Sequence, residues 1–378
     1  MKSSTYINLL LNPQSLNKGK SILTASEVAS DVGLLIQALE YAYPAKWIMS
    51  SDSWADVLQK IKAVHFEENV SNEVFGSALA DILWQIPDGH LAVKLDGKVL
   101  GEFLHIQTKM PSTGHNLVSS GSNLAWNVEQ RKSATGVVSI VAISHFPPSS
   151  DPQWFGFSEA IRGTLDSSAV IVDLRGNVGG DDAKGIEMVS ILLGRELEMD
   201  WVQEVVCETA ESLALQINTY ELIIWNRYTS KNITPPAELT DHLDSLKGKA
   251  NALALGAKDG GKVVVDHAPR SATSETTLAF KNKIFVLVDP VTASSGEWAA
   301  LYLKRHPNAV IVGENTRGMI HFGNSGLLYL PHSGLCITLC MKINDLTDGR
   351  FFERTGIVPD MRIANRDSLE YVLSLGIE

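Results

Sequence analysis

Residues 284–303, IFVLVDPVTASSGEWAALYL, are the most informative stretch of this sequence. The apolar run 284–288 predicts a strand, the small residues 291–296 predict a tight turn, and the apolar run 299–303 predicts a helix. A serine in such a turn lies beside open backbone N–H groups at the positive end of the helix, where negative charge is stabilised. The stretch therefore predicts either a nucleophilic serine or an ordinary helix cap, and caps are far more common.

A glycine-rich turn follows a second predicted strand at residues 169–173. Residues 173–180, DLRGNVGG, leave backbone N–H groups uncovered, as an oxyanion hole requires. The turn lacks the Gly-Lys-Ser/Thr ending of a phosphate-binding loop, and its glycines do not have the dinucleotide-binding spacing. An oxyanion hole and a plain strand-to-helix turn are both compatible with it.

A histidine follows the helical part of the sequence, in residues 86–93, IPDGHLAV. A histidine with a near-neutral pKa is the usual base for a serine hydroxyl, so His90 is a candidate base. A single histidine in a turn is more often structural, so this residue alone decides nothing.

The composition is that of an ordinary soluble globular protein. The 378 residues are 44% hydrophobic and 20% charged. The formal net charge of −11 argues against nucleic acid and anionic membrane surfaces as partners. The N-terminus lacks a signal-peptide pattern, and no apolar run approaches the roughly 20 residues of a membrane span. We therefore expect a cytoplasmic protein.

The three cysteines are Cys207, Cys336 and Cys340. An odd and sparse set does not form a disulfide framework. Cys336 and Cys340 are four residues apart in a strand-like run, so they share a face and are expected to be core thiols. A zinc site would need two more ligands nearby, and none is evident in the sequence, so no metal and no cofactor is predicted.

The hydrophobic pattern predicts an α/β fold with a small N-terminal helical domain. Residues 1–25 look like a loosely ordered lead-in, and residues 26–95 show three segments with helical spacing. Residues 96–378 alternate strand-like and helical runs, which predicts parallel strands joined by right-handed crossovers. Within them, residues from about 196 to 280 predict a partly helical insertion.

Five motifs, taken in order along the chain, resemble those of one serine peptidase family. They are DGH (88–90), DLRGNVGG (173–180), TASSGE (292–297), IVGENTRG (311–318) and GIVPD (356–360). The family is that of the C-terminal (tail-specific) processing peptidases and the tricorn core protease, and the resemblance covers roughly residues 26–375. It implies a crotonase-like ββα spiral as the catalytic core and a peptide or protein as substrate.

Two branches of this family use different bases. The processing branch uses a Ser–Lys dyad, but the lysine position is Met319 here, and Arg317 stays protonated and cannot replace it. The tricorn-like branch uses Ser, His and Glu, and the resemblance carries these over to Ser294, His90 and Glu353. The chain also leaves no room for the peptide-binding PDZ insertion of the processing branch.

The resemblance further implies that backbone N–H groups of Gly179, Gly180 and Ser295 form the oxyanion hole. Ser295 is the alternative nucleophile, and His321, two residues past the vacant lysine position, is the alternative base. Without the resemblance, Glu353 would be interpreted as a surface carboxylate in a loop.

These residues predict a serine peptidase that acts through an acyl-enzyme. The alternative is a non-proteolytic protein that binds a ligand or peptide on the same scaffold, since fold alone does not fix function. A binding protein would not need the set Ser294, His90 and Glu353.

Overall fold

The structure is a computed structural model that describes residues 5–15, 19–101, 124–133, 136–256, 260–267, 278–364 and 367–375. The α-helices of these residues are α1 (Ala25–Ala42), α2 (Ser51–Lys62), α3 (Asn72–Leu83), α4 (Phe157–Arg162), α5 (Ala183–Leu193), α6 (Ala210–Arg227), α7 (Ala237–Ala254), α8 (Ser295–Leu303) and α9 (Ser368–Ser374). The strands are β1 (Ile22–Leu23), β2 (Val70–Ser71), β3 (Ala92–Leu95), β4 (Lys98–Val99), β5 (Trp126–Ser133), β6 (Gly136–Ile143), β7 (Ala169–Asp173), β8 (Val202–Glu208), β9 (Gly261–Asp266), β10 (Lys283–Val288), β11 (Ala309–Gly313), β12 (Phe322–Tyr329), β13 (Cys336–Leu346) and β14 (Met361–Arg362). The predicted α/β fold class is confirmed.

The chain divides into two compact units, each made of three separate segments. The first unit contains Met1–Thr108, Gln203–Asp266 and His321–Asp345, and the second contains Lys109–Val202, His267–Ile320 and Leu346–Glu378. The segments thus group differently from the predicted limits at residues 26–95 and 96–378. Most of the predicted insertion, and the hairpin of β12 and β13, belong with the N-terminal helices.

The first unit combines α1–α3 with a sheet of order β4-β3-β13-β8-β9, to which β12 is added through β13. Helix α1 begins with a capping box, in which the Glu27 carboxylate accepts a hydrogen bond from Thr24 N at 2.9 Å. Its residues Val28, Leu35 and Leu39 are buried, as their helical spacing predicts. Their hydrophobic core continues into α6, α7, β12 and β13.

The prediction of a loosely ordered lead-in is wrong for part of residues 1–25. Tyr6 and Leu9 are buried in the core of the first unit. The Asn218 side chain of α6 donates to the carbonyl of Leu9 at 2.8 Å and accepts from Leu11 N at 2.7 Å. These partners lie more than 200 residues away in the sequence, so no local pattern predicts this order.

The second unit is built on a six-stranded sheet of order β14-β11-β10-β7-β6-β5. Every neighbouring pair is parallel except β5 with β6 at one edge. The central strands β7 and β10 are almost wholly buried because apolar side chains cover both faces of the sheet. Since β7 and β10 are parallel neighbours, the loops that follow them emerge side by side at one sheet edge.

Among the described residues, no helix combines the length and the apolar character that crossing a bilayer requires.

Candidate active site

The loops after β7 and β10 are joined by hydrogen bonds over their whole length. Thr292 Oγ1 donates to the carbonyl of Leu174 at 2.9 Å, and Ala293 N donates to the carbonyl of Asn177 at 2.8 Å. Where the two loops reach α8, their backbones lie so close together that Gly179 cannot be replaced by a residue with a side chain. A Cβ added to Gly179 would lie 2.8 Å from the Cβ of Ser294, which is closer than real Cβ atoms come. The glycine-rich turn therefore lies directly against the candidate serine.

Ser294 has a backbone conformation that residues other than glycine rarely adopt. Its φ is 52° and its ψ is −121°, and it immediately precedes the first residue of α8. A non-glycine residue in such a region costs on the order of 1–3 kcal/mol, and such strain concentrates at functional sites. Ser294 is half-buried, whereas its neighbour Ser295 is buried. The strained serine is therefore the more accessible of the two.

The Glu297 carboxylate fixes this strained turn. It accepts hydrogen bonds from Ser294 N at 3.0 Å, Gly318 N at 2.7 Å and Met319 N at 2.8 Å, and from the Thr316 hydroxyl. Burial raises the pKa of this carboxyl above its ordinary value, although the hydrogen bonds oppose that change. Glu297 thereby ties the start of α8 to the loop that follows β11.

Two backbone N–H groups beside Ser294 have no acceptor among the residues that the structure describes. They belong to Gly180 and Ser295. The N–H of Gly179 is occupied, because it donates to Asn177 Oδ1 at 2.8 Å. Of the three predicted oxyanion-hole residues, Gly180 and Ser295 therefore have N–H groups available for a developing negative charge.

The Ser295 hydroxyl has a structural contact. Its Oγ donates to the carbonyl of Gly180 at 2.6 Å, so it joins the two loops. A hydroxyl that is buried and committed to a carbonyl is less suited to attack a substrate than the half-buried hydroxyl of Ser294.

Glu353 is buried, which excludes the alternative interpretation as a surface carboxylate. It accepts a hydrogen bond from Ile320 N at 3.0 Å. The carbonyl of the same Ile320 accepts from Trp298 Nε1 at 3.1 Å, and Trp298 lies one helical turn after Ser294. Glu353 is thus connected to the first turns of α8 through the backbone of Ile320 and the indole of Trp298.

His90 belongs to the first unit, and its pairing with Ser294 stays a prediction. It is half-buried and lies just before β3, in a turn held by Asp88. Asp88 Oδ1 accepts from His90 N at 2.7 Å and from Leu91 N at 3.2 Å, and Oδ2 accepts from the Tyr43 hydroxyl at 2.7 Å. This buried carboxylate therefore sets the backbone conformation that presents His90.

The first unit also contains a group of side chains that are able to hold a metal ion. Asp88, His90 and Cys340 each offer one ligand atom, and these atoms all lie within 4.8 Å of one another. The expectation that no further ligands accompany Cys340 is therefore wrong. The missing ligands are far from Cys340 in sequence, and tertiary structure brings them to it.

The two groups near the vacant lysine position are poor candidates for the base. His321 is buried, burial lowers its pKa, and its Nδ1 lies 2.8 Å from the carbonyl oxygen of Asn344. Burial also lowers the pKa of Arg317, and the charge of Glu297 opposes this only in part. Arg317 Nε is shielded from water and meets no acceptor among the described residues.

Sequence reasoning overlooked the roles of Asp88 and Glu297. Asp88 lies in the motif at 88–90 and Glu297 in the motif at 292–297, and both hold the backbone beside a candidate catalytic residue. For Glu297 a local signal exists, because a serine followed three residues later by glutamate before an apolar run is the pattern of a capping box. For Asp88 the sequence signal is weaker, since aspartates whose side chains accept from the backbone N–H two residues later are common in loops.

Comparisons with known proteins agree with this architecture. The profile of peptidase family S41 matches residues 136–363, which is more than half of the chain. The structure is similar to that of a putative peptidase from Parabacteroides merdae ATCC 43184, with a TM-score of 0.56 and 14% identity over 93% of this chain and 97% of that one. It is also similar to mature CPAF complexed with lactacystin, with a TM-score of 0.51 and 14% identity over 89% of this chain and 94% of that one. No curated protein matches the sequence at a significant level.

Proposed function

The chain belongs to peptidase family S41, a family of serine peptidases, and we propose that it hydrolyses peptide bonds through Ser294, His90 and Glu353. Peptides or proteins are its substrates. The observation that carries this proposal is the strained, half-buried Ser294 at the start of α8, next to the open N–H groups of Gly180 and Ser295. A nucleophile and donors for an oxyanion are the two parts that acyl transfer needs at one place.

The proposed reaction begins when Ser294 Oγ attacks the carbonyl carbon of the scissile peptide bond. His90 accepts the serine proton, and the N–H groups of Gly180 and Ser295 donate to the oxyanion of the tetrahedral intermediate. His90 then protonates the leaving amine, and a water molecule activated by the same imidazole releases the acyl group from the serine.

Glu353 has the role of orienting the imidazole and stabilising its protonated form, as the carboxylate of other triads does. Its burial supports this role, because a carboxylate shielded from water interacts more strongly with a developing imidazolium. Gly179 has a different role: it allows the turn to approach Ser294 closely, while its own N–H holds Asn177.

A fluorophosphonate probe tests the proposal directly, because it labels only an activated serine. We expect one label per chain, located on the peptide that contains Ser294, and no label on Ser294→Ala. His90→Ala and Glu353→Gln should label at least about 100-fold more slowly, since each loses part of the general-base system. Thermal unfolding of each variant shows that the loss is not caused by misfolding.

Ser295→Ala is the matched control, since it removes the neighbouring hydroxyl and keeps the backbone N–H. It should keep the label on Ser294. A label on Ser295, or equal labelling of the wild type and Ser294→Ala, would overturn the assignment.

A further inference from the structure

The cluster of Asp88, His90 and Cys340 has a chemical composition that the proposed reaction does not explain. A triad needs an imidazole and a carboxylate, but it does not need a thiol. Asp88 and Cys340 are both 0% exposed, so both side chains lie inside the protein and not at its surface. Their ligand atoms and that of His90 lie within 4.8 Å of one another.

The register of the sheet explains why these residues meet. In the antiparallel pair of β3 and β13, Cys336 lies opposite Lys94 and Thr338 lies opposite Ala92. The pairing ends there, and Cys340 follows two residues later on β13, while His90 lies in the turn two residues before β3. Because every second residue of a strand lies on the same face, Cys340 shares a face with Thr338, and the turn brings His90 to it.

The donor set is one that zinc prefers. Zinc takes imidazole nitrogen, thiolate sulfur and carboxylate oxygen at about 2.0–2.3 Å, in a tetrahedron whose fourth position is often water. Ligand atoms of such a tetrahedron lie about 3.4–3.8 Å apart. A contraction of at most about 1.4 Å from the present separation brings the three atoms to that geometry. Magnesium and calcium, which prefer oxygen ligands, fit this set poorly.

Surrounding groups already orient the ligands. The Tyr43 hydroxyl donates to Asp88 Oδ2 at 2.7 Å, and the backbone N–H groups of His90 and Leu91 donate to Oδ1. Ser325 Oγ lies 3.4 Å from Cys340 Sγ on the neighbouring strand. Such partners fix the orientation of metal ligands and strengthen binding.

We propose that Asp88, His90 and Cys340 form a zinc site, and that zinc bound there inhibits the peptidase. The binding part rests on this cluster alone, and the inhibitory part rests on the proposed function of His90. An imidazole that coordinates zinc through either nitrogen loses its basicity and is fixed in position, so it cannot accept the serine proton. Coordination also releases the thiol proton of Cys340 to solvent, as thiolate is the form that binds.

Cobalt(II) and zinc titrations of the metal-free full-length chain test the binding part. We expect one cobalt per chain with a near-ultraviolet thiolate-to-cobalt absorption band, and displacement of the cobalt by zinc. Cys340→Ser should abolish the band and weaken zinc affinity by about 100-fold or more, because even partners of ligands contribute 10–100-fold.

Cys336→Ser is the matched control, since Cys336 lies four residues earlier on the same strand and outside the cluster. It should keep the band. His90→Gln provides a second variant in case Cys340→Ser unfolds, and it too should weaken zinc binding. A band that persists in Cys340→Ser, or the absence of stoichiometric binding, would overturn the site.

Peptide hydrolysis, with each variant compared with its own zinc-free rate, tests the inhibitory part. Zinc should inhibit the wild type and Cys336→Ser, and should inhibit Cys340→Ser only at about 100-fold higher concentration. Activity that is unchanged at saturating zinc overturns the inhibition. Zinc binding by a chain that hydrolyses no peptide and takes no fluorophosphonate label supports the site and overturns the proposed function instead.

Discussion

Ser295 Oγ donates a hydrogen bond of 2.6 Å to the carbonyl of Gly180, which joins the turn after β7 to the start of α8. Ser295→Ala breaks this bond, and because Gly180 is exposed and water can reach its carbonyl, we expect a cost of about 0.5–1.5 kcal/mol in the free energy of unfolding. We expect kcat to fall while fluorophosphonate labelling of Ser294 persists. Chemical denaturation and steady-state kinetics measure the two effects, and full kcat with unchanged stability would contradict this role.

The strain at Ser294 can be measured with two inactive variants. Ser294→Ala keeps a Cβ at φ 52°, whereas Ser294→Gly removes it. Since glycine adopts positive φ without a steric penalty, Ser294→Gly should be more stable than Ser294→Ala by about 1 kcal/mol. The comparison uses urea midpoints with equal m-values. An alanine variant that is equally stable or more stable would mean that the turn is not strained.

The close approach at Gly180 predicts a strong effect of a single methyl group. A Cβ on Gly180 would lie 1.7 Å from the carbonyl oxygen of Phe146, so Gly180→Ala must displace backbone. We expect a loss of several kcal/mol in stability and at least a 100-fold loss in kcat/KM, both as rough magnitudes. Gly176→Ala is the control, because Gly176 also has a positive φ but nothing lies within 4 Å of its added Cβ. It should cost only about 1 kcal/mol. Similar losses in both variants would refute the steric argument.

Two partly buried arginines should respond in opposite directions to replacement by methionine. Arg175 forms ion pairs with the buried Asp173 at 2.7 Å and with Asp367 at 2.8 Å, so Arg175→Met should cost about 3–5 kcal/mol by leaving a buried carboxylate unpaired. Arg317 Nε has no acceptor among the described residues, so Arg317→Met should stabilise the fold by about 1 kcal/mol. Thermal unfolding of both variants is the measurement, and destabilisation by Arg317→Met would indicate an anionic partner for this side chain.

The pH dependence of stability should contain a contribution from His306. This residue is buried between the carbonyl of Phe280, 2.9 Å from its Nε2, and Asn308 N, which donates to its Nδ1 at 3.2 Å. Burial lowers its pKa below the ordinary value, while the contact with Phe280 opposes this. As pH falls through about 6.5, His306 becomes protonated in the unfolded chain but stays neutral in the folded protein. The free energy of unfolding therefore decreases on acidification.

His306→Gln removes this titration and can keep the hydrogen bond to Phe280. The decrease in melting temperature between neutral pH and about pH 5 should therefore be smaller in this variant than in the wild type. An equal decrease in both proteins would show that His306 is not the responsible group.

Local patterns predicted the elements of the second unit well. The strands predicted at 169–173 and 284–288 are the parallel neighbours β7 and β10, and the turn at Ser294 starts a helix as its small residues indicate. This success has a physical reason, since each of these signals lies within about 20 residues and depends on propensity and periodicity.

Contacts between distant segments were not predictable in the same way. Asp31 accepts from Ser333 N across 302 residues, and the pairing of β13 with β3, which brings the turn at His90 towards Cys340, joins segments that are far apart in the sequence. A single sequence has no periodicity that encodes such pairings. The grouping of segments into two units and the ligands of the proposed zinc site were therefore beyond sequence reasoning.

The division of each unit among three separate stretches has a consequence for biosynthesis. The N-terminal helices bury their apolar faces against α6 and against β12 and β13, whose last residues follow some 260 positions after α3. At a translation rate of about 5–20 residues per second, these helices wait tens of seconds on the ribosome before their partners emerge. During that interval their apolar surface is exposed, so we expect chaperones to bind the nascent chain.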